Sequence, residues 1–440
     1  MRVMKDSGID WINNVPNSWH TTRVKSVLVE RNEKNNPIKT TNLLSLSIER
    51  GVFPYSEKTG GGNKAKENFE DYKLAYVDDI VLNSMNVVVG AVGISKYYGC
   101  VSPVYYTLYS RNNELYNINY YNYIFQSEVF QKNLWGLGNG IVVKESDNGK
   151  LNTIRMRIPM EKLNGVMLPV PSIEEQEKIA NFLDEKVQDI DIAIEKTKET
   201  IGDYKKLKQN IITKTIRIGI DEVLNTKDSG IEWVGEINEN YIVCDFKYIL
   251  KENMQYGANE SGIPYDESLP RYVRITDIDE NGNLRDNGKL SLSESSSKGY
   301  ILDDGDILFA RSGGTVGKSF IYKKELGQCA FAGYLIRAKV KGNISPDYVY
   351  FYTLSSLYEI WKNGIFIQAT IQNIGAEKYM NMPIILPKTL SEQKKIVDYL
   401  HEKCNEIDKL IESKEKIIVD LENYKKSVIY EYVTGKKEVK

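Results

Sequence analysis

Two heptapeptides set 222 residues apart constrain this chain most. Lys5–Trp11 reads KDSGIDW and Lys227–Trp233 reads KDSGIEW. A second duplication lies 217 residues apart. Glu175–Glu195 and Glu392–Glu412 share eleven of 21 positions, among them the opening Glu-Gln, Leu183, Ile190, Asp191 and Ile194. Between these anchors lie two stretches of similar length, Thr21–Leu168 and Tyr241–Leu386, that resemble each other only faintly. A chain that repeats its framework and varies what the framework holds points to two readers on one scaffold.

The block after Leu168 opens like a helix. Ser172-Ile-Glu-Glu175 fits a capping box, Thr389-Leu-Ser-Glu392 repeats it, and prolines precede both. Apolar residues then follow at alternating spacings of four and three: Ile179, Leu183, Val187, Ile190, Ile194, Ile201, Tyr204 and Ile211. The copy, displaced by 217 throughout, reads Ile396, Leu400, Cys404, Ile407, Ile411, Ile418, Leu421 and Val428. Such a narrow seam predicts a coiled-coil helix of about 40 residues, roughly 60 Å long, that needs a partner. Matched registers make the two helices partners of each other. The tag KDSGI(D/E)W follows the first helix, and its other copy stands at the opposite terminus. Read as a circle, the order is tag, domain, helix, tag, domain, helix. This predicts antiparallel helices in a pseudo-twofold arrangement, with the N-terminus docked near the C-terminus.

The expected fold class is α/β (α+β), with two β-rich recognition domains separated by two long antiparallel helices. The segments are residues 1–20 (a tag completing the second repeat), 21–168 (first domain), 172–218 (central helix), 227–240 (second tag), 241–388 (second domain) and 389–435 (last helix). Strand-like runs are Asn42–Ile48, Ile80–Asn83, Tyr272–Ile278 and Ile307–Ala310. Two further echoes connect the domains. Leu44–Ile48 answers Arg274–Ile278 at an offset of 230, and Gly90-Ala-Val-Gly93 answers Gly314-Thr-Val-Gly317 at 224.

The 41% hydrophobic and 27% charged residues are those of a globular chain, and no run of about 18 apolar residues exists. MRVMKDSGID lacks a signal-peptide core, so a cytoplasmic location is expected. Cys100, Cys244, Cys329 and Cys404 form no CxxC pair and read as reduced thiols, and only His20 and His401 could serve a histidine site. A metal site is therefore not expected. Net charge is −2; the first stretch, Thr21–Leu168, has 18 basic against 14 acidic residues, and Tyr241–Lys388 has 17 against 17. Any nucleic-acid surface must be a local patch or be completed by a partner.

No catalytic constellation emerges. Ser312-Gly-Gly-Thr-Val-Gly-Lys-Ser319 approaches a phosphate loop, but its first required glycine is Ser312. Asn35-Asn-Pro-Ile38 lacks the second proline and the aromatic of an adenine-methyltransferase tetrapeptide.

Across essentially its whole length the chain resembles the specificity (S) subunits of Type I restriction–modification systems. The resemblance is carried by Ser7-Gly-Ile-Asp-Trp11 and Ser229-Gly-Ile-Glu-Trp233, by the LP…EQ…I…L blocks at Leu168–Leu183 and Leu386–Leu400, and by Val433-Thr-Gly435. Ile216-Arg-Ile-Gly219, closing the first helix, is a weaker match. The resemblance implies a non-catalytic subunit that binds double-stranded DNA. Each domain would read one half of a bipartite target, and the helices would set the spacer and dock two modification subunits. S-adenosylmethionine would belong to those modification subunits. ATP and Mg would belong to two restriction subunits, a further implied partner; no cofactor is expected on this chain. The competing class is a two-headed adaptor that binds proteins through the same scaffold.

Base readout favours Arg or Lys for guanine and Asn or Gln for adenine. In the second domain the candidates are Arg271, Arg274, Arg311, Ser312 and Lys318. In the first they are Asn83, Ser84, Asn86 and Lys96, with Lys64 and Lys66 beside Gly60-Gly-Gly62. The 30 tyrosines read as core or rim more than as stacking platforms.

Overall fold

The computed structural model describes residues 2–59, 68–141, 144–145, 151–152, 155–220, 225–279, 282–367 and 373–439. Four helices carry the architecture: α1 (Ile118–Gln126), α2 (Ile173–Ile218), α3 (Pro346–Thr353) and α4 (Leu390–Val433). The chain divides into two compact units whose borders cut through the long helices. Unit one holds residues 1–197 and 416–440; unit two holds 198–415.

In unit one, His20–Arg23 pairs antiparallel with Met167–Val170, so the intervening domain begins and ends side by side. Between them a four-stranded antiparallel sheet forms from β1 (Leu28–Glu30), β2 (Ile80–Asn83), β3 (Val92–Ile94) and β4 (Tyr105–Ser110), in the order β1-β4-β2-β3. Its central strand IVLN is apolar and buried from Ile80 to Leu82 because both faces are covered, and ends at the half-buried Asn83. Unit two repeats this plan. Ile242–Asp245 pairs with Pro383–Leu386, and β5 (Gln255–Tyr256), β6 (Ile307–Ala310), β7 (Ser319–Ile321) and β8 (Leu335–Ala338) lie in the order β5-β8-β6-β7. A parallel contact also recurs: Leu43 bridges Cys100 in unit one, and Tyr272 pairs with Ala330 in unit two. That contact lies beside the echo at offset 230, with offsets of 229 on one strand and 230 on the other, but the echoing residues fold differently, Leu44–Ser47 being strand. In unit two Arg271–Val273 is β, but Ile275–Asp277 is a 3-10 turn.

Each unit also contains an antiparallel helix pair. In unit one Phe182 packs on Tyr432, with ring centroids 4.4 Å apart, and Lys425 Nζ donates to both Asp191 carboxylate oxygens at 2.7 and 2.8 Å. In unit two Lys208 Nζ meets both oxygens of Asp408 at 2.8 and 2.6 Å, and Ile212 and Ile216 share a core with Ile396 and Leu400. These are the same Asp and Lys twice, at the offset of 217. Half-exposed ion pairs stabilise little, so their role is to fix register. The seam is buried at Ile179, Leu183, Ile190, Ile194, Ile201, Ile396, Leu400, Cys404 and Ile407, and half-buried at Val187, Ile411 and Ile418.

The tags pack where the circular order puts them. Ile9, Trp11, Val15 and Trp19 share the core of unit one with Val428, Ile429 and Val433 at the end of α4. A Cβ on Gly435 would lie 2.5 Å from Pro16, so only glycine fits there. In unit two, Val234, Ile237 and Tyr241 join Ile212 and Ile216 at the end of α2.

The capping box is half made. Glu175 N donates to Ser172 Oγ at 3.4 Å, and Glu392 N to Thr389 Oγ1 at 3.2 Å. The Glu175 carboxylate turns to the tag, where it accepts from Trp19 Nε1 at 2.8 Å and from Arg2. The neighbouring glutamines are fully buried. Gln176 accepts from Asn117 N at 2.8 Å and donates to Leu115 O and Pro171 O at 3.0 and 2.9 Å. Gln393 accepts from Ser345 N at 2.8 Å and donates to Pro387 O at 3.2 Å. Asn117 and Ser345 are the residues that cap α1 and α3. The repeated Gln is thus the joint between each long helix and the domain that precedes it.

Candidate nucleic-acid interface

The central strands β2 and β6 present their two ends differently, and both ends can be built from sequence. The start of each is held by a buried aspartate. Asp79 Oδ2 accepts from Tyr76 N, and Asp306 Oδ2 from Asp303 N, each at 2.9 Å. The residue before each has positive φ, 68° at Asp78 and 85° at Gly305. Asp79 takes a two-point bond from Arg31 at 2.7 and 3.1 Å, and that guanidinium lies between the Tyr76 and Tyr109 rings. Asp306 stands 3.8 Å from Arg337 with no such bond.

Burial pushes the Asp306 carboxyl up from its ordinary 3.8 to about 6, against the bond from Asp303 N and the nearby cations that lower it. Its folded pKa exceeds the unfolded one, so the folded unit binds more protons in that window. Stability should then fall as pH rises from about 4 to about 7. Asp306→Asn removes this titration. The stability of wild type relative to the variant should therefore drop by on the order of 1–2 kcal/mol across the window, after allowance for solvent. Equal slopes in urea titrations of the two proteins would exclude Asp306 as the source.

At the other end, β2 turns into β3 through Ser84–Ala91, and β6 into β7 through Arg311–Lys318. Asn83 N donates to Ala91 O at 3.0 Å, and Ala310 N to Lys318 O at 2.8 Å. Each turn closes on a glycine of positive φ, Gly90 at 94° and Gly317 at 81°. The structural offset is therefore 227, which corrects the letter match at 224: Gly90 answers Gly317, and Gly93 lies within β3. Ser312–Ser319 runs into strand β7, so the helix N-terminus that a phosphate loop requires is absent there.

These turns sort the candidates. Lys64 and Lys66 lie outside the described residues. Ser84 is fully buried and donates to Val104 O at 2.7 Å, which corrects its place among base-reading residues. Asn83 Oδ1 accepts from Met85 N at 3.0 Å, and Asn86 is exposed on the turn. Lys96 is exposed but belongs to the opposite end of the hairpin, beside the Ser95–Asp79 backbone bond. It matches Lys323 rather than Lys318. In the second domain Arg274 is locked by Asp277 at 2.6 and 3.0 Å and by Gly288 O at 2.8 Å. Arg271 donates to Arg285 O and stands 3.6 Å from Asp286. Lys318 Nζ reaches Ile278 O at 3.4 Å, joining the turn to the Arg271–Ile278 segment, and Ser312 bridges Asn373. Arg311 alone of these arginines has no carboxylate or carbonyl acceptor for its guanidinium among the described residues. It lies over the Tyr256 ring, 5.0 Å from the centroid.

Sequence reasoning missed Tyr256 and Tyr334, which are 43% and 60% exposed beside Arg311. Twelve of the 30 tyrosines, including Tyr120, Tyr241, Tyr348 and Tyr379, are buried and seven are exposed, so nothing in composition marks these two. Among the described residues no cluster of metal ligands occurs, and no helix is long and apolar enough to cross a membrane.

Residues 269–423 match the family model described as the Type I restriction modification DNA specificity domain. The chain is 24% identical over 237 residues to the Type I restriction enzyme EcoKI specificity subunit of Escherichia coli K12, a match covering 53% of this chain and 49% of that protein. It is 27% identical over 292 residues to the Type I restriction enzyme MjaVIII specificity subunit of Methanocaldococcus jannaschii, covering 62% and 63%. The match thus spans about half the length of the first relative and under two thirds of the second. A chain solved in work on complex assembly and conformational transition of the type I R-M system shares the fold. Its TM-score is 0.69 at 12% identity, over 96% of this chain and 99% of that one. Residues 269–423 thus match the Type I restriction modification DNA specificity domain, and the chain as a whole shares the fold of that solved chain.

Proposed function

We propose that this chain is the DNA sequence-specificity subunit of a Type I restriction–modification complex. Each recognition domain reads one half of a bipartite target in double-stranded DNA. Helices α2 and α4 set the spacer between the halves and offer a docking surface to two modification subunits, which bring S-adenosylmethionine and the methyl transfer. Restriction subunits, where they join, bring ATP and Mg. The chain itself contributes binding and geometry.

One observation carries this reading. The same four-strand order recurs in both units, with the same glycine-closed turn, yet the turns differ in the side chains they hold. Duplicated backbone with divergent side chains at one place suits two readers of different sequences. The net charge of −2 fits a subunit whose partners supply part of the cationic surface.

Salt tests the proposal. With its modification subunit present, affinity for duplex DNA should fall by about a thousandfold or more between 50 and 200 mM salt, as expected for about six or more phosphate contacts. Weak, salt-independent binding in that complex would sink the DNA reading and favour the adaptor.

A further inference from the structure

We infer that Arg311 is the residue with which the second recognition domain recognises a guanine in its half-site, and that Tyr256 positions it. This rests on the DNA-reading function proposed above. The position is set by backbone shared between the domains. Ile374 N donates to Arg311 O at 2.9 Å, just as Ile158 N donates to Ser84 O at 2.9 Å in unit one. The carbonyl facing each residue also corresponds. Tyr334 O accepts from Arg311 N at 3.0 Å, and Val104 O accepts from the Ser84 hydroxyl at 2.7 Å. One corner of one scaffold thus holds a buried serine beside valine in one unit, and arginine beside an exposed tyrosine in the other.

The arginine is placed to present one edge. Its Nε is buried and has no acceptor among the described residues, so only the terminal nitrogens can face outward. The guanidinium carbon lies 5.0 Å from the Tyr256 ring centroid, and the Tyr256 hydroxyl accepts from Ala376 N at 3.1 Å, which holds that ring in place. Two in-plane terminal N–H donors match O6 and N7 of guanine in the major groove. By contrast Arg274 and Arg271 already spend donors on Asp277, Gly288 and Arg285. A guanidinium with no acceptor among the described residues, over a half-exposed aromatic ring, is placed to take an acceptor from outside. Tyr334 adds an exposed ring for the neighbouring base.

The test uses the full chain co-expressed with the modification subunit of its system, with methylated adenines mapped across genomic DNA. Wild type should yield a bipartite motif with a guanine in one half-site. Arg311→Ala should relax the choice at that single position, with discrimination falling roughly ten- to hundredfold. Arg311→Gln should shift it toward adenine, and Tyr256→Leu should weaken it in the same direction. The half-site read by the first domain should stay unchanged, which shows that each variant is folded and assembled. Overall loss of methylation at all sites, with a salt slope shallower by about one, would mark Arg311 as a phosphate contact and overturn the inference. An unchanged motif in both Arg311 variants would overturn it too. Absence of any bipartite motif in wild type would instead bring down the DNA-reading function itself.

Discussion

Gln176→Leu is expected to destabilise unit one by about 3 kcal/mol, lowering its melting temperature by on the order of 10 °C. The leucine fits the volume of glutamine but makes none of its bonds. Asn117 N, Leu115 O and Pro171 O would then be left without their partner in a site from which water is excluded. Each orphaned buried group costs about 1–3 kcal/mol, so the sum stands well above a surface substitution, which stays within about 0.5 kcal/mol. Glu177→Leu, one residue further along an exposed face, serves as that control. Hydrogen exchange should show α1 opening first, because its capping residue is held by this amide. A loss of stability no larger than that of the control would mean that the joint contributes nothing. Gln393 at Ser345 should behave alike in unit two, with a smaller loss, since it makes fewer bonds.

The second large effect concerns specificity. Exchange of residues 241–388 for the corresponding domain of a related specificity subunit should replace one half of the methylated motif completely and leave the other untouched. The exchange is feasible because Ile242–Asp245 and Pro383–Leu386 are hydrogen-bonded neighbours in register, so both cut points lie together at the base of the domain. The spacer should also persist, since α2 and α4 are retained. Change in both halves would contradict independent readers, and it would be read directly by mapping modified adenines.

The helices were legible because the seam repeats every seven residues and because a complete second copy exists to align. The expected length of about 40 residues compares with 46 and 44. The strands Ile80–Asn83 and Ile307–Ala310 could be read as short apolar runs between turn residues. The match at offset 224 failed because Gly-x-Val-Gly can be aligned by letter in two ways, whereas the bonds Asn83–Ala91 and Ala310–Lys318 allow one. Tyr272–Ile278 stops being a strand at Val273 because Asp277 reaches back to Arg274 and folds the chain into a turn. The interface was less legible for a related reason. Whether an arginine can reach DNA depends on which acceptors the fold brings to it. Asp277 is near Arg274 in sequence, but Gly288, Arg285 and Tyr256 are not near the arginines they contact. The buried glutamines were visible as identity and silent as to role, since an EQ pair on a helix reads equally well as solvent-facing.

The borders of the two units have a consequence for how the molecule comes off the ribosome. Unit two is one unbroken stretch, residues 198–415, and every residue of its core has been made before the last turns of α4 emerge. Unit one is split, and its core includes Val428, Ile429 and Val433. The first recognition domain is thus synthesised earliest but completed last. Until residues 428–435 are made, Trp19 lacks Gly435 beside it, and Ile179 and Leu183 lack the Val428, Ile429 and Val433 of their shared core. The core of unit one can therefore close only after every residue of the core of unit two has been made.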